Sequence, residues 1–169
     1  MPWGEPLQRG GHVVKLDQRF IEHLMDLALE EAELARSSGE VPIGAVIAVQ
    51  EKIVARAHNR MERTRDATAH AEAVAIREAG AAVGNWRLND AVLCVTLEPC
   101  TMCAGAISLA RIGTVVFGAA DPRLGAYGSL YDLSDDERLG KPRVISGVKA
   151  GDATAILQRF FSERRRGGS

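Results

Sequence analysis

The chain has 169 residues, 46% of them apolar and 25% charged, with a formal net charge of −1. That is enough for one domain with a sizeable core, of ordinary soluble composition, and its overall charge does not announce a polyanionic partner. No stretch approaches the ~18 apolar residues of a membrane span, Met1 to Lys15 holds no signal-peptide core, and three cysteines argue against a disulfide framework. The expectation is a cytoplasmic protein with no membrane association.

Residues 1–16 are rich in Gly and Pro, lack periodicity, and read as a flexible N-terminal arm. Asp17 is the expected N-cap of a helix to Arg36, with Phe20, Leu24, Leu27, Ala28 and Leu34 near helical spacing. Val41 to Gln50 predicts a buried strand. Glu51-Lys52 turns the chain, and Ile53 to Ala57 returns as a second strand. A charged loop follows. Ala69 to Ala79 predicts a helix with Thr68 as its cap and Gly80 as its stop. Ala91 to Leu97 is a strongly apolar strand, Cys100 to Ala110 a helix, and Thr114 to Gly118 the next strand.

Asp121 to Arg138 reads as a long polar loop, of the kind that is often functional beside such sheets. Val144-Ile145 is a short last strand and Gly151 to Arg166 a final helix. The β-α-β-α-β order after an antiparallel hairpin predicts an α/β fold, a three-layer α/β/α sandwich on a mixed, mostly parallel five-stranded sheet. One domain is expected over 17–166, with 167–169 a tail. From Lys141 onward seven basic residues face two acidic ones. Such a cluster suits either a solvated helix end or a phosphate-binding patch.

Chemistry concentrates in two short stretches, His70-Ala71-Glu72 and Pro99-Cys100-Thr101-Met102-Cys103. Positions i and i+3 of a helix share a face, so Cys100 and Cys103 can reach one ion. A lone C-x-x-C is also the pattern of a redox pair or of half a structural zinc site. A structural site needs a second ligand pair, which Cys94, His12, His23 and His58 do not form. His70 as third ligand leaves the fourth tetrahedral position open, as catalytic zinc sites do. Residues i and i+2 of a helix diverge. His70 and Glu72 therefore serve one site only if it lies off the helix N-terminus. Glu72 is then free as general base and acid beside a metal-activated water, and the implied reaction is hydrolytic loss of an amino group. Glu98 is read as structural support, and Cys94 as a small buried hydrophobe.

The pairing of H-x-E with P-C-x-x-C is the zinc-deaminase signature. Through it the chain resembles the cytidine-deaminase superfamily, and within it the bacterial tRNA adenosine deaminases. The resemblance runs from about Phe20 to Arg165. It also rests on Glu40-Val41-Pro42-Ile43-Gly44-Ala45, His58-Asn59-Arg60, Val95 to Cys100, Arg111-Ile112-Gly113, Phe117 to Asp121 and Gly125 to Leu130. It implies a cytidine deaminase-like fold, one zinc ion per subunit and a homodimer. The implied reaction is conversion of adenosine to inosine at the wobble position of a tRNA anticodon loop. By the same carry-over Asn59 contacts the flipped base, Val41, Ile43 and Leu97 line its pocket, Asp121 touches adjacent RNA, and Arg164 and Arg165 meet phosphates. Lys141-Pro142 departs from the family pattern at the edge before the last strand.

Each carried-over role has a plainer counterpart. Asn59 and Asp121 are also common turn formers, and Val41, Ile43 and Leu97 are ordinary core residues. Trp86 and Phe117 read as packing residues rather than stacking platforms. Two other functions fit the zinc signature: deamination of a free base or nucleoside such as guanine or cytosine, and a non-catalytic zinc-stabilised RNA-binding module. The free carboxylate of Glu72 speaks against the latter.

Overall fold

The computed structural model describes residues 16–167. The expected arm and tail lie outside the described residues, apart from Leu16, which packs against the first helix layer, and Gly167. The elements are α1 (Gln18–Ser37), β1 (Gly44–Val49), β2 (Lys52–His58), a single turn α2 (Met61–Thr64), α3 (Ala71–Val83), β3 (Val92–Leu97), α4 (Thr101–Leu109), β4 (Thr114–Ala119), a 3₁₀ turn at Glu137–Leu139, β5 (Arg143–Ile145) and α5 (Ala150–Gly167).

The sheet order is β2-β1-β3-β4-β5. β1 pairs antiparallel with both β2 and β3, while β3–β4 and β4–β5 are parallel. Four of the five strands therefore run one way. The reversed strand is β1, and it lies inside the sheet rather than at its edge. The mixed sheet is as expected. The antiparallel character expected of an edge hairpin reaches one strand further in, because β1 has hydrogen-bonding partners on both sides.

Side chains alternate across a strand, and here both faces are covered. Ala45, Ile47, Leu93, Val95, Val115 and Phe117 pack under α3 and α4. Val46, Ala48, Val92, Cys94 and Val116 pack under α1. Each fully buried large aliphatic such as Leu24, Ile47, Leu93 or Ile107 contributes about 2 kcal/mol by leaving water. Cys94 is the buried hydrophobe expected, its thiol pushed upward by burial. Phe117 is core, also as expected.

Asp17 caps α1, its carboxylate accepting the Arg19 N–H at 3.2 Å. The buried stripe is Ile21, Leu24, Met25, Ala28, Ala32 and Ala35. Leu34, expected on it, is exposed, because at about 100° per residue it falls on the far flank of the stripe. α3 does not stop at Gly80. Ala81 and Ala82 carry the helix on, and Gly84, at φ 68°, ends it. Thr68 is not its cap either: the Thr68 N–H and hydroxyl both donate to Asp66, and the N-cap residue is His70.

Gly44 opens β1 where α1 crosses closest. A Cβ there would overlap the Ala28 carbonyl oxygen and lie 2.6 Å from the Ala32 nitrogen. Trp86 is not a packing residue. The residue is 57% exposed, with the guanidinium carbons of Arg87 and Arg111 at 4.2 and 5.4 Å from the ring centre.

Candidate active site

α3 and α4 both begin at one edge of the sheet. His70 and Cys100 are their N-cap residues, each in extended backbone and neither bonding its own helix through its side chain. Both side chains are thereby left to point off the helix ends. Cys103 sits one turn into α4 and is fully buried. The Nδ1 of His70 lies 3.7 Å from the Cys100 sulfur and 3.5 Å from the Cys103 sulfur. All three donor atoms fall within 4.8 Å of one another.

This donor set fits zinc. Tetrahedral ligation with Zn–S near 2.3 Å and Zn–N near 2.0 Å places sulfur and nitrogen about 3.5 Å apart, as observed. Two soft thiols and one imidazole suit that ion, and three ligands leave one position open. The thiols already differ. Cys100 is held down at about 4 by the hydrogen bond from Cys103 and the nearby imidazole, while Cys103 is pushed upward by that same bond and by burial.

Glu72, in the first turn of α3, is 4% exposed. Burial pushes its carboxyl up to about 7, against the pull of His70. It also lies within hydrogen-bonding reach of Cys103. The expectation that His70 and Glu72 share a site off the helix end agrees with this geometry.

Asn59 follows β2 and is buried. Its side-chain oxygen accepts the Ala71 N–H at 2.8 Å, and its backbone N–H donates to the Ile43 carbonyl at 3.1 Å. Among the described residues its amide nitrogen has no protein acceptor. The register that pairs Ala45 with Val95 carries Ile43 to the level of Leu97. Val41, Ile43 and Leu97 are all half-buried at this edge, where a ligand could still touch them.

The loop after β4 closes over Glu98. Its carboxylate accepts the backbone N–H groups of Asp121, Tyr127 and Ser129 and the Ser129 hydroxyl. Burial works to raise that carboxyl, and these donors together hold it below the usual carboxylate range. The expectation that Glu98 is structural becomes specific here. Asp121 is a turn former as well as a candidate contact: its carboxylate accepts the N–H groups of Arg123 and Leu124 at 3.0 and 3.3 Å.

Arg164 and Arg165 part company. Arg164 donates to the Gly39 carbonyl at 3.1 Å and stacks over Phe160, while Arg165 lines a shallow groove of about 480 Å³ with Arg123, Gln158 and Phe161. Sequence reasoning missed Arg123 and Tyr127. Tyr127 is buried and joins the cluster beneath α3 and α4. Its position in a stretch of polar residues and glycines concealed that.

Residues 18–119 match the family described as the cytidine and deoxycytidylate deaminase zinc-binding region. The chain is 48% identical to the tRNA-specific adenosine deaminase of Bacillus subtilis strain 168, over 86% of its own length and 91% of the relative's. A solved tRNA:A34 deaminase, studied for A-to-I editing at the wobble position, superposes with a TM-score of 0.77 at 47% identity, covering 80% of this chain and 99% of the other. The guanine deaminase of Nitrosomonas europaea shares the fold, with a TM-score of 0.74, 21% identity and coverage of 83% and 84%. With the donor atoms of His70, Cys100 and Cys103 brought together inside the matched region, the chain belongs to the cytidine and deoxycytidylate deaminase family of zinc-binding proteins.

Proposed function

We propose that this protein is a zinc-dependent hydrolase that converts adenosine to inosine at the wobble position of a tRNA anticodon. The observation that carries the chemistry is the buried Glu72 carboxylate beside three converging donors, a set that would leave the fourth position of a tetrahedral ion to water. Identity near one half, over almost the full length of relatives named as tRNA-specific adenosine deaminases, supports the substrate. The guanine deaminase neighbour shares only the fold at 21% identity. Free-base deamination is therefore the weaker reading.

In this reading His70, Cys100 and Cys103 hold the ion, which when bound supplies Lewis-acid activation of water for attack at C6 of the adenine. Glu72 takes one water proton and passes it to the ring nitrogen, then takes the second from the new C6 hydroxyl and passes it to the amine, which leaves as ammonia as the C6–N bond breaks. Burial keeps bulk water from competing with that transfer. Asn59 orients the base through the amide nitrogen left free by its bond to Ala71. Val41, Ile43 and Leu97 wall the pocket, and Asp121 and Arg165 meet the flanking RNA. Single-stranded anticodon loops suit this design because their bases can be turned out into a pocket.

The working unit in this reading is the single deaminase domain over residues 17–166, as a homodimer in the cytoplasm. An apolar stripe on the outside of α4 supports pairing: Met102 and Leu109 are exposed, with half-buried Gly105 and Ala106 between them. Such spacing places all four on one helix face. Among the described residues no helix is long and apolar enough to cross a membrane.

The test is inosine formation in an anticodon stem-loop RNA, with free adenosine and free guanine as controls. Turnover of the RNA alone is expected. Turnover of guanine in its place would overturn the substrate assignment, and a monomer by mass-resolved sizing would overturn the dimer.

A further inference from the structure

We infer that Glu98 is a positioning residue: it latches the loop after β4 onto the turn that carries Cys100, and so sets how firmly the RNA is held. The second half of this inference rests on the RNA reading above.

One carboxylate takes four hydrogen bonds from that loop. Oε1 accepts the N–H groups of Tyr127 and Ser129 at 2.9 and 3.1 Å. Oε2 accepts the Asp121 N–H at 3.0 Å and the Ser129 hydroxyl. The side chain is 2% exposed, and none of these donors is a cationic side chain. A buried carboxylate is costly unless its oxygens are satisfied. If the loop left, the charge would lose all four donors together, so loop and carboxylate stand or fall as a unit.

The fit is close on the other side as well. A Cβ on Gly125 would overlap the Glu98 carboxylate and sit 2.6 Å from the Asp121 carbonyl oxygen. Gly125 forms an isolated antiparallel bridge with Cys100, and the Ala126 N–H donates to the Pro99 carbonyl at 2.9 Å. Glu98, Pro99 and Cys100 are thus all joined to residues 121–129. Asp121, the candidate RNA contact, hangs from the latch by its own backbone N–H. Tyr127, its ring buried beneath α3 and α4, hangs from the opposite oxygen. The metal turn and the RNA-facing loop are thereby held in one fixed relation.

Glu98→Gln breaks this specifically. However the amide is turned, its NH₂ replaces an acceptor and faces at least one loop N–H. Ser129→Ala is the milder variant, removing one donor from an exposed position. Amide hydrogen exchange at Tyr127 and Ser129 is measured with zinc content and with KM and kcat on the stem-loop RNA. The expected result for Glu98→Gln is roughly tenfold or faster exchange at those two amides, with KM raised roughly tenfold and kcat changed less. Zinc stays at one ion per subunit. Ser129→Ala moves the same readouts in the same direction by less, and alone decides the matter if Glu98→Gln does not fold. Unchanged exchange, zinc loss, or a fall in kcat at constant KM overturns the latch. A wild-type protein with no RNA turnover would sink the substrate reading while the exchange data still decide the latch.

Discussion

The side-chain oxygen of Asn59 accepts the N–H of Ala71 at 2.8 Å, so one buried amide fixes the start of α3 directly after the ligand His70. In the proposed reading the other end of that amide is what meets the base. The two roles separate by substitution. Asn59→Ala strands a buried N–H and is expected to cost about 1–3 kcal/mol in urea denaturation. Asn59→Asp keeps the acceptor at a helix N-terminus and removes the donor, so the melting temperature holds while kcat/KM on RNA falls. Equal stability loss in both variants would show that the oxygen is not the anchor.

Glu72→Gln keeps the shape of the side chain and removes its ability to carry a proton. Zinc content is expected to stay at one ion per subunit while turnover drops by about 10²–10⁴-fold. Metal analysis and single-turnover kinetics check this. Loss of zinc would make Glu72 a ligand and break the role assigned to it.

Chelation should remove both activity and stability. The three ligands tie the starts of α3 and α4 together across 30 residues of sequence. An ion bound at about 1,000 times its dissociation constant adds roughly 4 kcal/mol, or about 10 °C of melting temperature in a chain of this size. Calorimetry before and after a chelator measures it, and added zinc should restore both properties. An unchanged melting temperature would mean that the ion does not bridge the two helices.

The two arginines of α5 should behave differently. Arg165→Ala is expected to weaken RNA binding at constant stability and to lower the salt slope of affinity by about 1. Arg164→Ala loses its bond to Gly39 and its stacking on Phe160. It should also cost about 1 kcal/mol of stability. Salt titrations of binding beside thermal melts distinguish them, and identical profiles would refute the division of roles.

The metal site was readable in the chain because its rules are local. Cys100 and Cys103 share a face by spacing, and His70 with Glu72 can meet only beyond a helix end. Other features depend on contacts remote in sequence. Leu34 and Leu24 look equivalent until the face of α1 that meets the sheet is known. Tyr127 sits in a stretch that reads as exposed, yet Glu98, 29 residues earlier, pulls that stretch inward. Gly80 has the composition of a helix stop, but its neighbours favour continuing and Gly84 takes the turn. The place of β1 between two antiparallel partners follows from pairing that no local pattern encodes.

β1 is apolar on both faces, so moving its pairing by one residue would trade one buried hydrophobe for another and expose no mistake. Gly44 supplies the missing check. Shifted by one, the strand would bring Ile43 or Ala45 under Ala28, where not even a methyl group fits. The Gly44 N–H also donates to the Thr96 hydroxyl at 3.2 Å, which aligns β1 with the end of β3. A residue without a side chain thus keeps the strands in phase, and with them the spacing between Ile43 and the turn that bears the cysteines.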